Sequence, residues 1–318
     1  MAEQTNLSPL SKSIVKTLLY YDIFNYPLKL NEIFRFLGVK SESEIIVNRE
    51  LSLLCREGLI FQFGEFFSPQ NEERNVTRRI SGNLRAKQYL EIAKRKAKLI
   101  MQFPFVRAVM ASGSLSKEFM DENSDIDFFI ATKPGRLWIA RTLLVIYKRI
   151  FLFNSHKHFC VNYFVDTDHL DIEEKNIFTA TELATVIPLY GATYYQKLQQ
   201  TNSWLGEIFP NYQPRPTDNI PSWGMNGLKK FLETFIDLFF GNQINGFFMK
   251  LTLRRWKKLY LKKYPLADFE LAFKTTAYAS KNHPKHYQRK VVDLYEEKWK
   301  EFQNRLQIDF RIQTSVAS

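Results

Sequence analysis

The stretch that decides the fold is residues 111–130, which read Ala-Ser-Gly-Ser-Leu-Ser-Lys-Glu-Phe-Met-Asp-Glu-Asn-Ser-Asp-Ile-Asp-Phe-Phe-Ile. One strand pattern ends in Gly113-Ser114, and Asp125-Ile126-Asp127 opens a second. Because side chains alternate along a strand, Asp125 and Asp127 should point to the same side, about 6.6–7 Å apart. Two such carboxylates repel each other. Mg²⁺, which binds through carboxylates and substrate phosphates, would offset that repulsion.

The two residues that end the first strand suit a phosphate. Gly113 has no Cβ, so its backbone can approach a ligand closely. Ser114 adds a hydroxyl and a backbone N–H where a helix would start, which is a position that favours anions. The sequence therefore predicts a site that combines phosphate and magnesium.

This stretch resembles the nucleotidyltransferase superfamily, which has the fold of DNA polymerase β and of the aminoglycoside nucleotidyltransferases. The family pattern is Gly-Ser or Gly-Gly, a short spacer, and then Asp-apolar-Asp or Asp-apolar-Glu followed by an apolar residue. The residues that match it are Gly113, Ser114, Asp125, Ile126, Asp127 and Phe128. The resemblance, including the strand–helix–strand order around the motif, extends over residues 106–165.

The resemblance implies a role for each matching residue. Gly113 and Ser114 would hold the triphosphate of an NTP, and Asp125 and Asp127 would bind two Mg²⁺ ions. The metals would neutralise the phosphates, help to activate an acceptor hydroxyl and stabilise the leaving pyrophosphate. Lys117 would either contact a phosphate or be a solvated helix lysine.

The sequence departs from the family at the third carboxylate, which usually lies on a later strand. The corresponding strand is predicted over residues 159–165, and its middle position is Asn162. An amide offers Mg²⁺ one neutral oxygen and cannot act as a base. Asp166 shares the face of Asn162 but lies about 13 Å further along the strand. We expect Asn162 near the metal site, with Asp166 as the alternative third ligand.

The rest of the chain predicts an α+β protein, with a mixed-sheet nucleotidyltransferase-like core between two flanking domains. The boundaries are 1–72 for a winged-helix-like domain, 73–210 for the core and 211–318 for a basic C-terminal helical domain. Strands are predicted at 106–111, 126–131 and 159–165. Helices of the core are predicted at 75–101, 135–153, 177–186 and 190–199, and C-terminal helices at 228–240, 244–263 and 286–306.

The N-terminal domain is predicted from the order of its elements. Three short helical patterns precede two β-rich runs around Gly64, and this order resembles a winged helix. The third helix, residues 44–56, would be the one that reads DNA. It offers only Arg49 and Arg56 as cations. The alternative is a module for packing, dimerisation or substrate positioning.

The charge of the chain is concentrated near its end. The chain has 45 Lys and Arg against 33 Asp and Glu, a net charge of +12. Residues 220–318 hold 18 of these basic and 9 of these acidic side chains. Residues 250–263 contain seven cations and no acid. This segment suits a nucleic acid, a membrane surface or a polyanionic substrate, and otherwise it is a helix with a solvated basic face.

The composition excludes several classes. With 45% hydrophobic residues, the chain is not disordered throughout. Cys55 and Cys160 cannot form a disulfide framework. No signal peptide or transmembrane segment is expected, and a cytoplasmic setting fits best.

Three functions follow. The first is an Mg²⁺-dependent transfer of NMP from an NTP to an unidentified acceptor. The second is a catalytically weak, nucleotide-binding regulator, which the Asn162 departure favours. The third is a nucleic-acid-binding protein that uses the winged helix and the basic C-terminal helices.

Overall fold

The computed structural model describes residues 7–155, 157–221, 226–239, 241–282 and 287–316, with side chains up to residue 307. The protein is of the α+β class. Its helices are α1 (Pro9–Asp22), α2 (Leu30–Arg35), α3 (Glu44–Arg56), α4 (Glu73–Met101), α5 (Gly113–Ser116), α6 (Leu137–Phe151), α7 (Ile177–Thr185), α8 (Ala192–Thr201), α9 (Leu205–Ile208), α10 (Gly227–Phe239), α11 (Gly241–Tyr260), α12 (Leu266–Ala272) and α13 (Tyr287–Val316). Its strands are β1 (Leu28–Lys29), β2 (Phe61–Phe63), β3 (Phe66–Ser68), β4 (Val106–Ser112), β5 (Asp127–Thr132), β6 (Cys160–Asp166), β7 (Ile187–Tyr190) and β8 (Ala279–Lys281).

The chain divides into two compact units. The first comprises Met1–Ser81, Trp204–Gln213 and Gln288–Ser318, and the second comprises Gly82–Ser203 and Pro214–Tyr287. This division differs from the three consecutive domains that the sequence predicts, because two later segments return to the first unit.

One ion pair gives a physical reason for the return of the last segment. The carboxylate of Asp22 is buried, and Lys298 of α13 donates to its Oδ2 at 2.7 Å. A buried carboxylate needs such a partner, because an unpaired charge is costly to bury. The N-terminal residues therefore depend on a cation that lies far along the chain.

The first unit contains α1, α2 and α3 and a small sheet. Ser8 begins α1 as its N-cap, since its Oγ accepts a hydrogen bond from the backbone N–H of Ser11. Helix α3 buries Val47, Leu51 and Leu54, which a spacing of four and three places on one face. The strands form an antiparallel sheet in the order β1-β3-β2.

The second unit is built on a mixed five-stranded sheet in the order β7-β4-β5-β6-β8. Strand β4 is antiparallel to both β5 and β7, β5 is parallel to β6, and β6 is antiparallel to β8. The parallel pair requires a crossover, and the chain passes through α6 between β5 and β6. The apolar face of α6 buries Trp138 and Leu144 in the core, together with Phe128 of β5 and Phe164 of β6.

Candidate active site

The end of β4 and the start of β5 lie side by side, and they bring the two halves of the predicted motif together. Strands β4 and β5 are antiparallel, with Ser112 opposite Asp127. The last residue of β4 therefore lies beside the first residue of β5, and Gly113, which begins α5, follows at once. The ten residues between Ser114 and Asp125 therefore connect two chain segments that lie side by side.

Gly113 is required at its position for two reasons. Its φ of +64° lies in the left-handed region, which residues with a side chain adopt only at a cost. A Cβ at this position would also lie closer than 3.0 Å to Oδ2 of Asp127. The backbone of α5 therefore approaches the carboxylate more closely than any other residue type would allow.

Asp127 is a half-buried carboxylate with an altered pKa. Burial raises the pKa of Asp127 to about 7, and the negative charges of Glu182 and Asp125 add to the increase. A hydrogen bond from Cys160 and the charge of Lys117 act in the opposite direction. The carboxylate is therefore close to the midpoint of its titration at neutral pH, which is a common property of functional carboxylates.

Asn162 contacts Asp127 directly. Its Nδ2 donates a hydrogen bond of 2.8 Å to Oδ1 of Asp127, and its Oδ1 accepts one of 3.0 Å from the thiol of Cys160. The pairing of β5 with β6 shifts by one residue here, since Phe128 pairs with Val161 and the next pair skips Asn162. Asn162 is thus the extra residue of a β-bulge, a feature that often occurs next to active sites.

Asp125 lies just before β5, which begins at Asp127. Its charge raises the pKa of Asp127 and contributes to the raised pKa of the Cys160 thiol, for which burial is the larger cause. Asp125 is therefore close enough to act on both groups. The charge of Asp125 therefore affects Asp127, and both carboxylates affect the Cys160 thiol.

Lys117 is not a solvated helix lysine. Its Nζ donates to the carbonyl of Gly113 at 3.1 Å and to Oε1 of Glu182 at 2.7 Å. This places the cation beside the start of α5. Ser114, by contrast, has an exposed side chain.

Helix α7 supplies groups that the sequence did not indicate. Glu182 binds Lys117, and Thr185 Oγ1 lies 3.1 Å from Oγ of Ser116, which in turn donates to the carbonyl of Gly113 at 2.8 Å. No local pattern distinguishes Glu182 from other helix acids. Only the fold shows that α7 flanks the motif.

Asp166 does not join the site. It lies at the opposite end of β6, where it pairs with Thr132, about 16 Å from the start of β5. Its Oδ1 accepts hydrogen bonds from the backbone N–H groups of Asp168 and His169 and faces the His169 ring at 2.7 Å. Asp166 therefore closes a turn, and Asn162 is the residue of β6 that faces the paired carboxylates.

The metal donors that the sequence predicts are two carboxylates and one amide. Within the residues that the structure describes, no cluster of three or more His, Cys, Asp or Glu side chains is placed to hold a metal ion. Carboxylate and amide oxygens are nevertheless the ligands that Mg²⁺ takes, and it usually keeps further positions for water and phosphate oxygens. The carboxylates of Asp125 and Asp127 therefore fit Mg²⁺ by the chemistry of their oxygens, whereas Asn162 turns its Nδ2 toward Asp127 and its Oδ1 toward the Cys160 thiol.

Comparison with protein-family models, curated proteins and solved structures finds no match to this chain.

Proposed function

We propose that this protein is an Mg²⁺-dependent nucleotidyltransferase, which transfers an NMP from an NTP to the hydroxyl of an acceptor. The observation that carries the proposal is the close approach of Gly113 to Asp127. That approach supports a site in which a phosphate-binding turn and a carboxylate of altered pKa act on one ligand.

Different residues of the chain would bind the metal and the phosphates. Asp125 and Asp127 would hold the magnesium, which when bound neutralises phosphate charge and polarises the α-phosphorus. Gly113 and Ser114 would hold the triphosphate, and Lys117 would contact it. In the reaction an acceptor hydroxyl oxygen forms a bond to the α-phosphorus and gives up its proton to water. The bond from that phosphorus to the bridging oxygen breaks, and pyrophosphate leaves. A fold alone does not select the base of the NTP or the identity of the acceptor.

Binding and turnover test this proposal separately. Isothermal titration with each of the four NTPs should give heat that depends on Mg²⁺ with at least one of them. With α-labelled NTP and a panel of acceptor hydroxyls, label should move to an acceptor while pyrophosphate is released. Asp125→Ala and Asp127→Ala should abolish transfer. Asp168→Ala, an exposed acid outside the site, is the matched control, and equal loss in all three variants would reject the assignment.

A second function is favoured by Asn162. Its hydrogen bond to Asp127 occupies the position where a third carboxylate would complete the family's set. The second candidate is therefore a regulator that binds NTP with Mg²⁺ but turns it over slowly. Asn162→Asp should then raise turnover at least tenfold, whereas Asn162→Ala should not. An unchanged rate in Asn162→Asp would show that this amide does not limit the chemistry.

A further inference from the structure

Helix α10 exposes most of its apolar side chains, whereas three of its four charged side chains are buried or half-buried. Lys229 and Glu233 are buried and Asp237 is half-buried. Because these three residues are spaced by four, they lie on one face of the helix. A helix of a water-soluble domain normally turns its apolar stripe to the core and its charges to solvent. The orientation of α10 therefore needs a specific cause.

The buried charges of α10 supply that cause. Oε1 of Glu233 accepts hydrogen bonds from the backbone N–H of Phe105 at 2.6 Å and from Arg107 at 2.9 Å, and its Oε2 accepts a second from Arg107 at 2.6 Å. The ammonium of Lys229 donates to two backbone carbonyls near the start of β4, at 2.7 and 2.8 Å. Burial alone would raise the pKa of Glu233, but these donors together hold it below its usual value.

Asp237 fixes the last turn of the helix. Its Oδ2 binds Lys133 and its Oδ1 binds Arg136, both at 2.5 Å. Rotating α10 to bury its apolar side would break all three sets of contacts and leave charges unpaired, which is strongly unfavourable. The helix is therefore held with its apolar side outward.

The outward side of α10 is a continuous aromatic and aliphatic stripe, which we call the α10 stripe. Each of its members is more than half exposed, and they are Leu228, Phe231, Phe235, Leu238 and Phe239. The rings of Phe231, Phe235 and Phe239 follow one another, with centroids 6.3 and 4.9 Å apart. An exposed apolar stripe of this size on a folded domain marks a surface that binds something.

Helix α11 follows directly and is basic. It exposes Phe247 and Leu251, and most of its exposed cations follow them. All seven cations of residues 250–263 are exposed, and the segment has no acid. Trp256 is buried in the core, so the helix is anchored through that side chain. Phe247 and Leu251 thus give α11 exposed apolar side chains of its own, and the second half of this helix is positive.

We infer that α10 and α11 form a surface that binds anionic lipid bilayers. Apolar side chains on one face with Lys and Arg beside them are what an interfacial helix uses, because the former enter the acyl boundary and the latter bind anionic headgroups. A nucleic acid would satisfy the cations but would leave the α10 stripe in water. A second copy of the chain would cover the stripe but would bring the same excess of cations with it. None of the described helices is both long and apolar enough to cross a bilayer, so the contact would lie in the plane of the interface.

Flotation of the full chain with vesicles tests this inference. The wild type should float with phosphatidylcholine vesicles that contain phosphatidylglycerol, and should not float with phosphatidylcholine alone. The double variant Phe231→Gln, Phe235→Gln should lower the partition at least tenfold. Lys257→Glu with Lys258→Glu should lower it similarly, and this effect should shrink as salt is added.

Matched controls change the same properties elsewhere. Leu53→Gln with Leu84→Gln removes two exposed apolar side chains, and Lys87→Glu with Arg95→Glu reverses two exposed charges. Both controls should float like the wild type. The inference is overturned if the wild type does not float with anionic vesicles, or if the controls lose binding equally. It is also overturned if the only effect of the α10 double variant is to dissociate a dimer in sedimentation. Binding of RNA without binding of vesicles would likewise overturn it.

Discussion

Asn162 donates a hydrogen bond of 2.8 Å to the carboxylate of Asp127 from the bulge of the neighbouring strand. The bond ties together two residues that are 35 positions apart in the chain. It does not bring the pKa of Asp127 down to its ordinary value, because burial and the charges of Glu182 and Asp125 raise it to about 7. The ionised carboxylate of Asp127 therefore lowers the stability of the folded protein.

Replacing that carboxylate should stabilise the fold. The pKa of Asp127 is higher in the folded than in the unfolded chain, so stability falls as pH rises from about 4 to about 7 and the cost is full above pH 7. Asp127→Asn should raise the free energy of unfolding by up to about 4 kcal/mol at pH 8, since each unit of pKa difference is worth about 1.4 kcal/mol, and by less at pH 5. Urea denaturation at both pH values measures this. Asp168→Asn, an exposed control, should have no such pH-dependent effect, and a loss of stability in Asp127→Asn at pH 8 would contradict the argument.

Gly113→Ala should be more damaging than an alanine at another left-handed glycine. Gly135 has a φ of +68° and no neighbour within 4 Å of a Cβ, so Gly135→Ala should cost only about 1 kcal/mol of backbone strain. Gly113→Ala adds the collision with Asp127, which should cost about 1–3 kcal/mol more. Thermal unfolding of both variants isolates the difference. Equal losses would mean that Asp127 moves aside without cost.

Lys117 and Glu182 should have opposite effects on nucleotide binding. The ammonium of Lys117 is the cation beside Gly113, whereas Glu182 brings a negative charge toward the same place. Lys117→Met should weaken binding of an NTP about tenfold, equivalent to about 1.4 kcal/mol. Glu182→Gln should leave binding unchanged or strengthen it, because it removes a charge that repels phosphate. Titration calorimetry at fixed Mg²⁺ compares the two, and equal weakening would assign the pair a purely structural role.

The orientation of α10 should depend on Glu233. Glu233→Gln removes a charge that faces Arg107 and Lys229 in a buried place, and breaking one partner of such a set costs about 3–5 kcal/mol. Thr234→Ala, an exposed change on the next position, should cost less than about 0.5 kcal/mol. Urea denaturation of the two variants decides the matter. A small effect of Glu233→Gln would show that apolar contacts, and not this carboxylate, orient the helix.

The central strands could be predicted from the sequence because each is a short apolar run with clear ends. Strands were expected at residues 106–111, 126–131 and 159–165, and β4, β5 and β6 lie within one residue of those limits. Strands β7 and β8 could not be predicted. Strand β7 has four residues and contains Pro188, and β8 reads Ala-Ser-Lys. Each exists because β4 or β6 offers an unpaired edge, and no local pattern encodes that.

The candidate site was predictable only where its residues are close in sequence or share a strand. The resemblance to the nucleotidyltransferase pattern implied that Gly113 lies near Asp127 and that Asn162, in the middle of β6, lies near them. Glu182 could not be found, since helical periodicity does not say which motif a helix will flank. The outward orientation of the apolar side of α10 could not be predicted either, because Glu233 binds partners about 128 residues earlier in the chain.

The division of the chain into discontinuous units has a consequence for synthesis. The second unit ends at Tyr287, whereas the first, which holds the N-terminal residues, takes its last segment from Gln288 onward. Tyr20 packs against Tyr295 and Asp22 binds Lys298, so these two contacts form only after α13 has left the ribosome. Chains fold as they emerge. The first unit thus begins to form before the second unit and is completed after it.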